Sequence, residues 1–321
     1  MNPAVQALRN DNPDLDSEKF RDPEITAAGE PRAQVALTAL ETLWINTGTL
    51  CNLTCDNCYI ESSPTNDRLS YITLQEVETY LDEIAEGNLP TGVIGLTGGE
   101  PFMNPDITAI LDRILANGFE ALVLTNAMRP MLRHKAALLA LNELYPGKLT
   151  LRVSIDHYAP TLHELERGPR SWAPMLEGLR FLTDNGFDLH AAGRTVWSES
   201  EADLRAGYRR LFTAERINID AGNPQTLMLF PEMDETLDVP EITTACWDIL
   251  GANPDALMCA SARMVVKRKG EARPTVVPCT LLPYDERFDM GHSLADAAAD
   301  IPLNHPHCAR FCVLGGGSCS G

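Results

Sequence analysis

The chain of 321 residues is long for one ordinary domain, and its 44% hydrophobic residues can bury the core of a large domain with a smaller appendage. It carries 45 acidic against 26 basic residues, for a formal net charge of −19. Such a surface repels phosphate backbones and anionic lipids, so we expect neither nucleic acid nor a membrane among its partners.

Neither a membrane span nor an export signal is expected. No apolar stretch approaches the roughly 18–20 residues that cross a bilayer, and the polar, acidic segment 1–21 lacks the basic and apolar regions of a signal peptide. We therefore expect a cytoplasmic protein. In that reducing compartment, the nine cysteines predict metal binding or catalysis rather than disulfides.

The chain begins with a segment of unlike composition and continues as alternating strands and helices. Residues 1–40 are predicted to be an N-terminal extension that folds only against the rest, because 1–32 is rich in Asp, Asn, Pro and Glu and has little periodicity. From Glu41 onward the alternation repeats about every thirty residues, which is typical of a parallel sheet or barrel. The predicted strands are 41–46, 92–97, 121–125, 149–155, 188–195 and either 216–220 or 226–230. Five helices are predicted. One starts at a capping box formed by Thr73 and Glu76, and a second runs from an Asn104 cap to Gly118. The other three cover 131–144, 171–185 and 200–212.

Three cysteines follow the first predicted strand. Cys51, Cys55 and Cys58 are spaced Cys-x3-Cys-x2-Cys. Iron-sulfur clusters are held by thiolates, usually four, so three on one loop would leave the fourth iron of a cubane open for chemistry. Zinc remains an alternative, although structural zinc sites usually pair cysteines as Cys-x2-Cys and add a fourth ligand. Buried or metal-storing thiols are the third interpretation.

A second motif, Gly98-Gly99-Glu100-Pro101, ends the second predicted strand. Paired glycines let the backbone approach a ligand closely because they have no Cβ. Alone, this motif is an ordinary turn signal. Together with the cysteine loop, it resembles the motifs of the radical S-adenosylmethionine (radical SAM) superfamily. The resemblance implies that Cys51, Cys55 and Cys58 bind a 4Fe-4S cluster, that S-adenosylmethionine (SAM) chelates the open iron, and that residues 98–100 contact its methionine end.

One position departs from the family pattern. Many members have an aromatic residue just before the third cysteine, near the adenine, whereas this chain has Asn57 there and Tyr59 just after it. Adenine contact is therefore assigned to neither residue.

Polar residues also stand at the carboxyl ends of the next strands, where parallel α/β barrels place their chemistry. The resemblance implies that Asn126, Ser154 and Asp156 lie near the ribose and methionine of SAM, and that Arg194 pairs with its carboxylate. In the alternative interpretation, Ser154 and Asp156 only cap the following loop, and Arg194 only pairs with a nearby carboxylate.

The C-terminal third contains six more cysteines. Residues 257–266 and 274–280 predict a hairpin with Cys259 and Cys279 at its two ends, and the basic cluster 267–269 at its tip predicts a solvated turn. With Cys308, Cys312 and Cys319 in the tail, this arrangement resembles the twitch and SPASM modules of radical SAM enzymes, which enclose an auxiliary 4Fe-4S cluster. Which four of these five cysteines would bind it stays open, and so does zinc. Cys246 is predicted to be a small core residue.

The sequence thus predicts an α/β protein: a partial (β/α)6 TIM-like barrel over 41–235 and a cysteine-rich cluster-binding module over 236–321. The resemblance implies reductive cleavage of SAM to a 5′-deoxyadenosyl radical, which abstracts hydrogen from a small-molecule or peptide substrate for oxidation or maturation. An electron donor such as flavodoxin or ferredoxin is implied as a partner. The alternatives are a radical carbon-skeleton rearrangement, as in molybdopterin precursor synthesis, and a non-catalytic metal-binding protein.

Overall fold

An eight-stranded sheet forms the centre of the protein in a computed structural model that describes residues 13–231 and 233–316. The strand order is β7-β6-β5-β4-β3-β2-β8-β9, and a separate two-stranded sheet pairs β1 with β10. The strands are β1 Gln34–Val35, β2 Thr42–Asn46, β3 Val93–Thr97, β4 Glu120–Thr125, β5 Leu149–Ser154, β6 Asp188–Arg194, β7 Leu227–Phe230, β8 Ala262–Val266, β9 Thr275–Val277 and β10 Ile301–Pro302.

The six strands β2 to β7 pair in parallel and in chain order, which confirms the predicted fold class. Of the two candidates for the sixth strand, the later one, Leu227–Phe230, is correct. β8 adds a seventh parallel strand beside β2, and β9 runs antiparallel to β8. The C-terminal third therefore extends the central sheet, a feature absent from the sequence-based prediction. The domain boundaries at 40 and 235 stay a prediction.

Helices connect the parallel strands. They span Leu74–Glu86, Ile107–Ala116, Arg129–Leu132, Lys135–Leu144, Pro160–Arg167, Trp172–Asp184 and Glu201–Glu215, followed by the short Cys246–Leu250 and Met258–Ser261 and a π-helical turn at Cys308–Val313. The predicted capping box is confirmed: Thr73 Oγ1 accepts from Glu76 N at 3.3 Å, and Glu76 Oε2 accepts from Thr73 N at 3.0 Å. None of the described helices combines the length and the hydrophobicity that a bilayer span requires.

Two helix predictions were wrong in detail, and one helix was missed. The helix expected to start after Asn104 begins at Ile107; Asn104 Oδ1 accepts from Asp106 N at 2.8 Å, and its Nδ2 donates to Thr47 O and Ile72 O. The predicted helix 131–144 is interrupted between Leu132 and Lys135. The helix Pro160–Arg167 was not predicted at all.

Side chains of the sheet alternate between two hydrophobic clusters. On β2, Leu43 and Ile45 pack with the helices, whereas Trp44 packs on the opposite face with Met264 and Val266 of the C-terminal region. Because strand residues alternate in direction, one face of the sheet is covered by helices and part of the other by the C-terminal region.

The segment before β2 folds against that same region, as the sequence predicts for the described part of the extension. Arg32 is 3% exposed, pairs with Glu241 at 2.5 Å, and donates to the carbonyl oxygens of Asp22 and Leu303. A buried guanidinium needs such partners, and here they come from distant parts of the chain.

The predicted hairpin is confirmed, since Met264 faces Val277 and Val266 faces Thr275 in the β8–β9 pair. The three basic residues at its tip are each neutralised. They pair with carboxylates as Lys267 with Glu76, Arg268 with Asp289 and Lys269 with Asp67.

Candidate functional site

A cavity opens at the carboxyl edge of the parallel strands, where the ends of neighbouring strands meet. Cys51, Cys55 and Cys58 all line it. Polar groups from the strand ends face the same space: Thr97, Gly98, Gly99, Thr125, Asn126, Ser154, Asp156 and Arg194. The structure therefore brings together every SAM-site residue predicted from the sequence except Glu100, which is not among the lining residues.

The thiols of the cysteine loop are largely withdrawn from solvent. Burial raises the pKa of Cys51 and of Cys55 to about 12, so both thiols are protonated at neutral pH unless a metal displaces the proton. The N–H groups of Leu53 and Ser62 point at Sγ of Cys51 and Cys58, each at 3.4 Å. Such donors stabilise the thiolate form that an iron-sulfur cluster requires.

The helix Pro160–Arg167 holds the cysteine loop from the side. Its Glu166 carboxylate accepts from Asn57 N at 2.9 Å and from Asn57 Nδ2 at 2.8 Å, and its carbonyl oxygen accepts from Asp56 N at 2.9 Å. Asn57, the residue before the third cysteine, is thus buried and turned towards this helix. Tyr59 lines the cavity instead.

The two glycines after β3 allow close contact with the backbone of the cysteine loop. Gly99 N donates to Gly48 O at 2.8 Å, and Glu100 N donates to Leu50 O at 3.1 Å. A Cβ at Gly99 would lie 2.2 Å from Leu50 O, and one at Gly98, where φ is +135°, would lie 2.4 Å from Gly48 O. The sequence predicts that these glycines make room for a ligand. The structure shows that they first make room for the loop that carries the cysteines.

Glu100 connects the ends of β3 and β4. Its carboxylate is 1% exposed and accepts from Thr125 Oγ1 at 2.9 Å, Asn126 N at 2.9 Å and Phe102 N at 3.2 Å. Burial raises its pKa to about 7, although these three donors oppose the shift. Because its carboxylate accepts from Asn126 N, the Glu100 side chain positions Asn126.

Asn126 lies beside the first cysteine. Its Nδ2 donates to Asn52 Oδ1 at 3.0 Å and lies 3.9 Å from Cys51 Sγ, and its Oδ1 accepts from Met128 N at 3.0 Å. Ser154 ends β5 and lines the same cavity. Both side chains are thus within the space next to the thiols.

Two arginines and two carboxylates form a buried network on the cavity wall. Arg167 Nε lies 2.6 Å from Asp156 Oδ2, and Arg194 Nε lies 3.8 Å from both Asp156 Oδ1 and Glu166 Oε1. Burial alone would raise the pKa of Asp156, but Arg167 and then Arg194 hold it below its usual range. Asp156 is therefore ionised, whereas burial raises the pKa of Glu166.

Arg167 and Glu166 were missed by the sequence analysis. A signal was available, since Pro160 stands at the first position of their helix and Gly168 directly follows its end, which is a common pattern of helix boundaries. The helix has only eight residues, so its apolar periodicity was too short to recognise.

Another part of the cavity wall is apolar and comes from two separate segments. Phe230 and Met233 lie at and after the end of β7, and Phe311 lies in the π-helical turn. The rings of Phe230 and Phe311 stack with centroids 5.5 Å apart. Leu281 completes this face.

The C-terminal cysteines occupy the second hydrophobic cluster. Cys259, Cys279 and Cys308 are buried there, and Cys312 packs against it. Burial raises the pKa of Cys259 to about 11 and that of Cys308 to about 12. Cys246 is half-buried against the same cluster, and its Sγ accepts from Thr243 N at 3.4 Å. Cys319 lies outside the described residues.

Comparison with known proteins gives a family match and two sequence relatives. The model of the family described as Radical SAM superfamily matches residues 45–205, half of the chain. The antilisterial bacteriocin subtilosin biosynthesis protein AlbA of Bacillus subtilis is 30% identical over 143 residues, 44% of this chain and 30% of that protein. The GTP 3′,8-cyclase of Tolumonas auensis is 32% identical over 139 residues, 43% of this chain and 39% of that protein. The alignments thus span about a third of these relatives.

Solved structures share the fold over most of the chain. SuiB of Streptococcus suis, in crystals with S-adenosylmethionine and with precursor peptide SuiA, aligns with a TM-score of 0.57 at 12% identity. The alignment to the peptide complex covers 83% of this chain and 66% of SuiB, and that to the S-adenosylmethionine complex covers 80% and 64%. This similarity shows a common fold.

Proposed function

This chain belongs to the radical SAM superfamily, whose members use a 4Fe-4S cluster and S-adenosylmethionine, and we propose that it abstracts hydrogen from a peptide substrate. The observation that carries the proposal is the convergence of Cys51, Cys55 and Cys58 with the polar ends of β3 to β6 on one cavity. The first test is anaerobic: reconstituted protein with dithionite and SAM should release 5′-deoxyadenosine.

We propose that these three cysteines hold the 4Fe-4S cluster. The donor set fits, because three thiols face one cavity and backbone N–H groups point at two of the sulfurs. When bound and reduced, the cluster supplies the electron that cleaves SAM to methionine and a 5′-deoxyadenosyl radical. The enclosing protein would hold the substrate carbon nearby and exclude water.

SAM would be bound by the strand ends. The backbone at Gly98 and Gly99, with the side chains of Asn126 and Ser154, would contact the methionine and ribose portions. Glu100 would act through Asn126, whose backbone N–H it accepts. Tyr59, which lines the cavity, would stack on the adenine, since Asn57 is turned towards Glu166.

The carboxylate of SAM would be met by Arg167 and Arg194, both held by Asp156. Arg167 would make the main contact, because Asp156 orients its guanidinium by contacts at 2.6 Å from Nε and 3.3 Å from Nη2. The main role in binding the SAM carboxylate thus passes from Arg194, which the sequence indicated, to Arg167, which it did not.

We expect Arg167→Lys to weaken SAM binding roughly 10- to 100-fold, because an ammonium cannot reproduce the two-point geometry of the guanidinium. Equilibrium dialysis of radiolabelled SAM against reconstituted protein measures this. Arg180→Lys is the matched control, since Arg180 pairs with Glu215 on an outer helix and should keep wild-type affinity. Equal affinity in Arg167→Lys and wild type would remove Arg167 from the SAM site.

The substrate group that enters the cavity would be apolar. Phe230, Met233, Leu281 and Phe311 form the wall that would face it, and aromatic and thioether groups bind apolar side chains well. The AlbA relative takes part, by its name, in the biosynthesis of a bacteriocin. A peptide segment that presents an apolar side chain is therefore the substrate that we favour.

A nucleotide substrate is the second candidate, because another relative is named as a GTP 3′,8-cyclase. A triphosphate needs several free cations. Among the described residues that line the cavity, the cations are Arg167 and Arg194, and both already contact carboxylates and would be occupied by the SAM carboxylate. The basic cluster at 267–269 is likewise neutralised. The charges therefore favour the peptide over the nucleotide and also over nucleic acid.

The peptide and nucleotide candidates can be distinguished by finding which compound accelerates SAM cleavage. Host extract is divided by size, and the fractions are added to the anaerobic assay with and without protease treatment. Acceleration that protease destroys supports a peptide. Acceleration by GTP alone, or by a protease-resistant fraction, would contradict it. A reductant such as flavodoxin or ferredoxin would replace dithionite in the cell.

We further propose an auxiliary 4Fe-4S cluster in the C-terminal region, which would serve a net oxidation or maturation by accepting an electron or by binding substrate. The clustering of Cys259, Cys279, Cys308 and Cys312 supports it. The hairpin contributes by bringing Cys259, just before β8, towards Cys279, just after β9.

Removing Cys259 and Cys279 together, by Ala substitution, should lower the iron content from roughly eight to about four per chain, because each cubane has its own cysteine set. Iron analysis after anaerobic reconstitution measures this, and SAM cleavage without substrate should persist. Cys246→Ala is the control and should keep all its iron. Unchanged iron in the double variant, or zinc in place of iron, would refute the auxiliary cluster.

A further inference from the structure

A second group of metal-binding side chains lies apart from the cysteines. Glu235 follows β7, and His305 and His307 precede the π-helical turn. One ligand atom from each lies within 4.8 Å of the other two. None of the three lines the cavity described above.

The distances within this group suit an ion better than hydrogen bonds. Glu235 Oε2 lies 3.4 Å from His305 Nε2 and 3.8 Å from His307 Nε2. Both exceed the usual hydrogen-bond range of about 2.7–3.2 Å. Around a tetrahedral zinc with bonds of about 2.0–2.1 Å, neighbouring ligand atoms are separated by roughly 3.4 Å. The two distances to the Glu235 carboxylate are thus close to the spacing that one ion would impose.

The burial pattern also fits a bound cation. His305 is 8% and His307 3% exposed, whereas the Glu235 side chain is 61% exposed and leaves an entry path from solvent. Within the described part of the chain, the His307 imidazole forms no hydrogen bond, and its Nδ1 is buried. A buried polar ring without a hydrogen bond costs free energy unless something binds it.

His305 is already oriented by its neighbour. Its Nδ1 accepts from His307 N at 3.1 Å, which turns Nε2 towards Glu235. Binding an ion through Nε2 would move the ring proton to Nδ1 and replace this hydrogen bond, and that is a cost the ion must offset.

We propose that Glu235, His305 and His307 bind one divalent transition-metal ion, zinc or ferrous iron. Two imidazoles and one carboxylate with open positions are the ligand set that these ions accept, and Mg²⁺ does not favour imidazole. The proposal is independent of the radical SAM chemistry.

The ion would join two segments that shape the cavity. Met233 precedes Glu235 by two residues, and Phe311 follows His307 by four; both line the apolar wall. Arg310 already links the same segments, since its Nη2 donates to Leu237 O at 2.8 Å and Asp238 O at 3.1 Å. The ion would add a second link and hold the wall in place.

The test uses holoprotein reconstituted with iron and sulfide, so that the thiolates are occupied, and a chromophoric chelator that competes for Zn²⁺. Wild type should bind one further equivalent of zinc and no Mg²⁺, and zinc should raise its melting temperature. Glu235→Gln keeps the shape of an exposed side chain and should bind zinc about 100-fold more weakly, with no thermal shift. Glu143→Gln, on the outer helix Lys135–Leu144, removes the same charge elsewhere and should behave as wild type.

Metal analysis compares wild type with Glu235→Gln, both purified without added metal. The zinc or iron that wild type contains and the variant lacks is the resident ion. Glu235→Gln that binds zinc as tightly as wild type would overturn the proposal, as would wild type that takes up no further equivalent at micromolar free zinc and holds no iron that Glu235→Gln lacks. His307→Gln should repeat the loss. Because Glu235 is exposed, its variant keeps the test valid even where a buried histidine variant does not fold.

Discussion

Replacing Cys51, Cys55 and Cys58 together with Ala is expected to abolish release of 5′-deoxyadenosine, by at least about 1000-fold, because no thiolate on the loop would then hold the cluster. Anaerobic reaction with dithionite and SAM, followed by chromatography, measures the product. Iron should fall at the same time from roughly eight to about four per chain. The loss of only half of the iron would show that the loop and the C-terminal cysteines load independently.

Cys246→Ala is the matched control for this variant. Cys246 is also a free cysteine, but it does not line the cavity and its sulfur contacts Thr243. It should retain both activity and iron. Persistent SAM cleavage in the triple variant would refute the proposed function, whereas the zinc experiment on Glu235 would be unaffected.

Gly99→Ala is expected to disrupt the site without removing any side chain that is proposed to bind the cluster or SAM. The added Cβ would lie 2.2 Å from Leu50 O, which is backbone and cannot rotate away. Either β3 or the cysteine loop must move, and overpacking of this kind costs about 1–3 kcal/mol or more. We expect a melting temperature lower by roughly 5–10 °C and a loss of SAM cleavage of at least about 10-fold. Thermal scans and the anaerobic assay measure the two effects.

Gly92→Ala provides the comparison at the other end of the same strand. A Cβ there would meet nothing within 4 Å. We therefore expect wild-type melting temperature and activity. If Gly99→Ala behaved like Gly92→Ala, the close contact between the glycine motif and the cysteine loop would not matter for the site.

The strands could be predicted because each depends on a short-range pattern of residues in the sequence. Strands such as Val93–Thr97 are compact apolar runs that end at turn residues, and the two motifs follow such runs directly. Their position at one edge then follows from the parallel arrangement alone. The meeting of Cys51 and Gly98 at one cavity is therefore predictable from local sequence patterns.

Other features depend on contacts between residues far apart in the chain. The motif alone indicates that Glu100 contacts the ligand, but its carboxylate is buried and accepts from Thr125 at the end of β4 and from Asn126 just after it. Arg167 became a candidate only because folding places it 2.6 Å from Asp156. β8 joins the sheet beside β2 although more than 200 residues separate them.

For this protein, the sequence by itself determined the strand-helix alternation, the cysteine loop and the glycine motif, because each depends on neighbours within a few residues. The tertiary structure decided that Arg167 joins Arg194 on the cavity wall, why Gly99 must be glycine, and that Glu235 meets two histidines seventy residues later. The physical reason is that burial, charge pairing and close approach are properties of the packed chain. Pairing energies of this kind arise only when folding excludes water from groups that the sequence keeps apart.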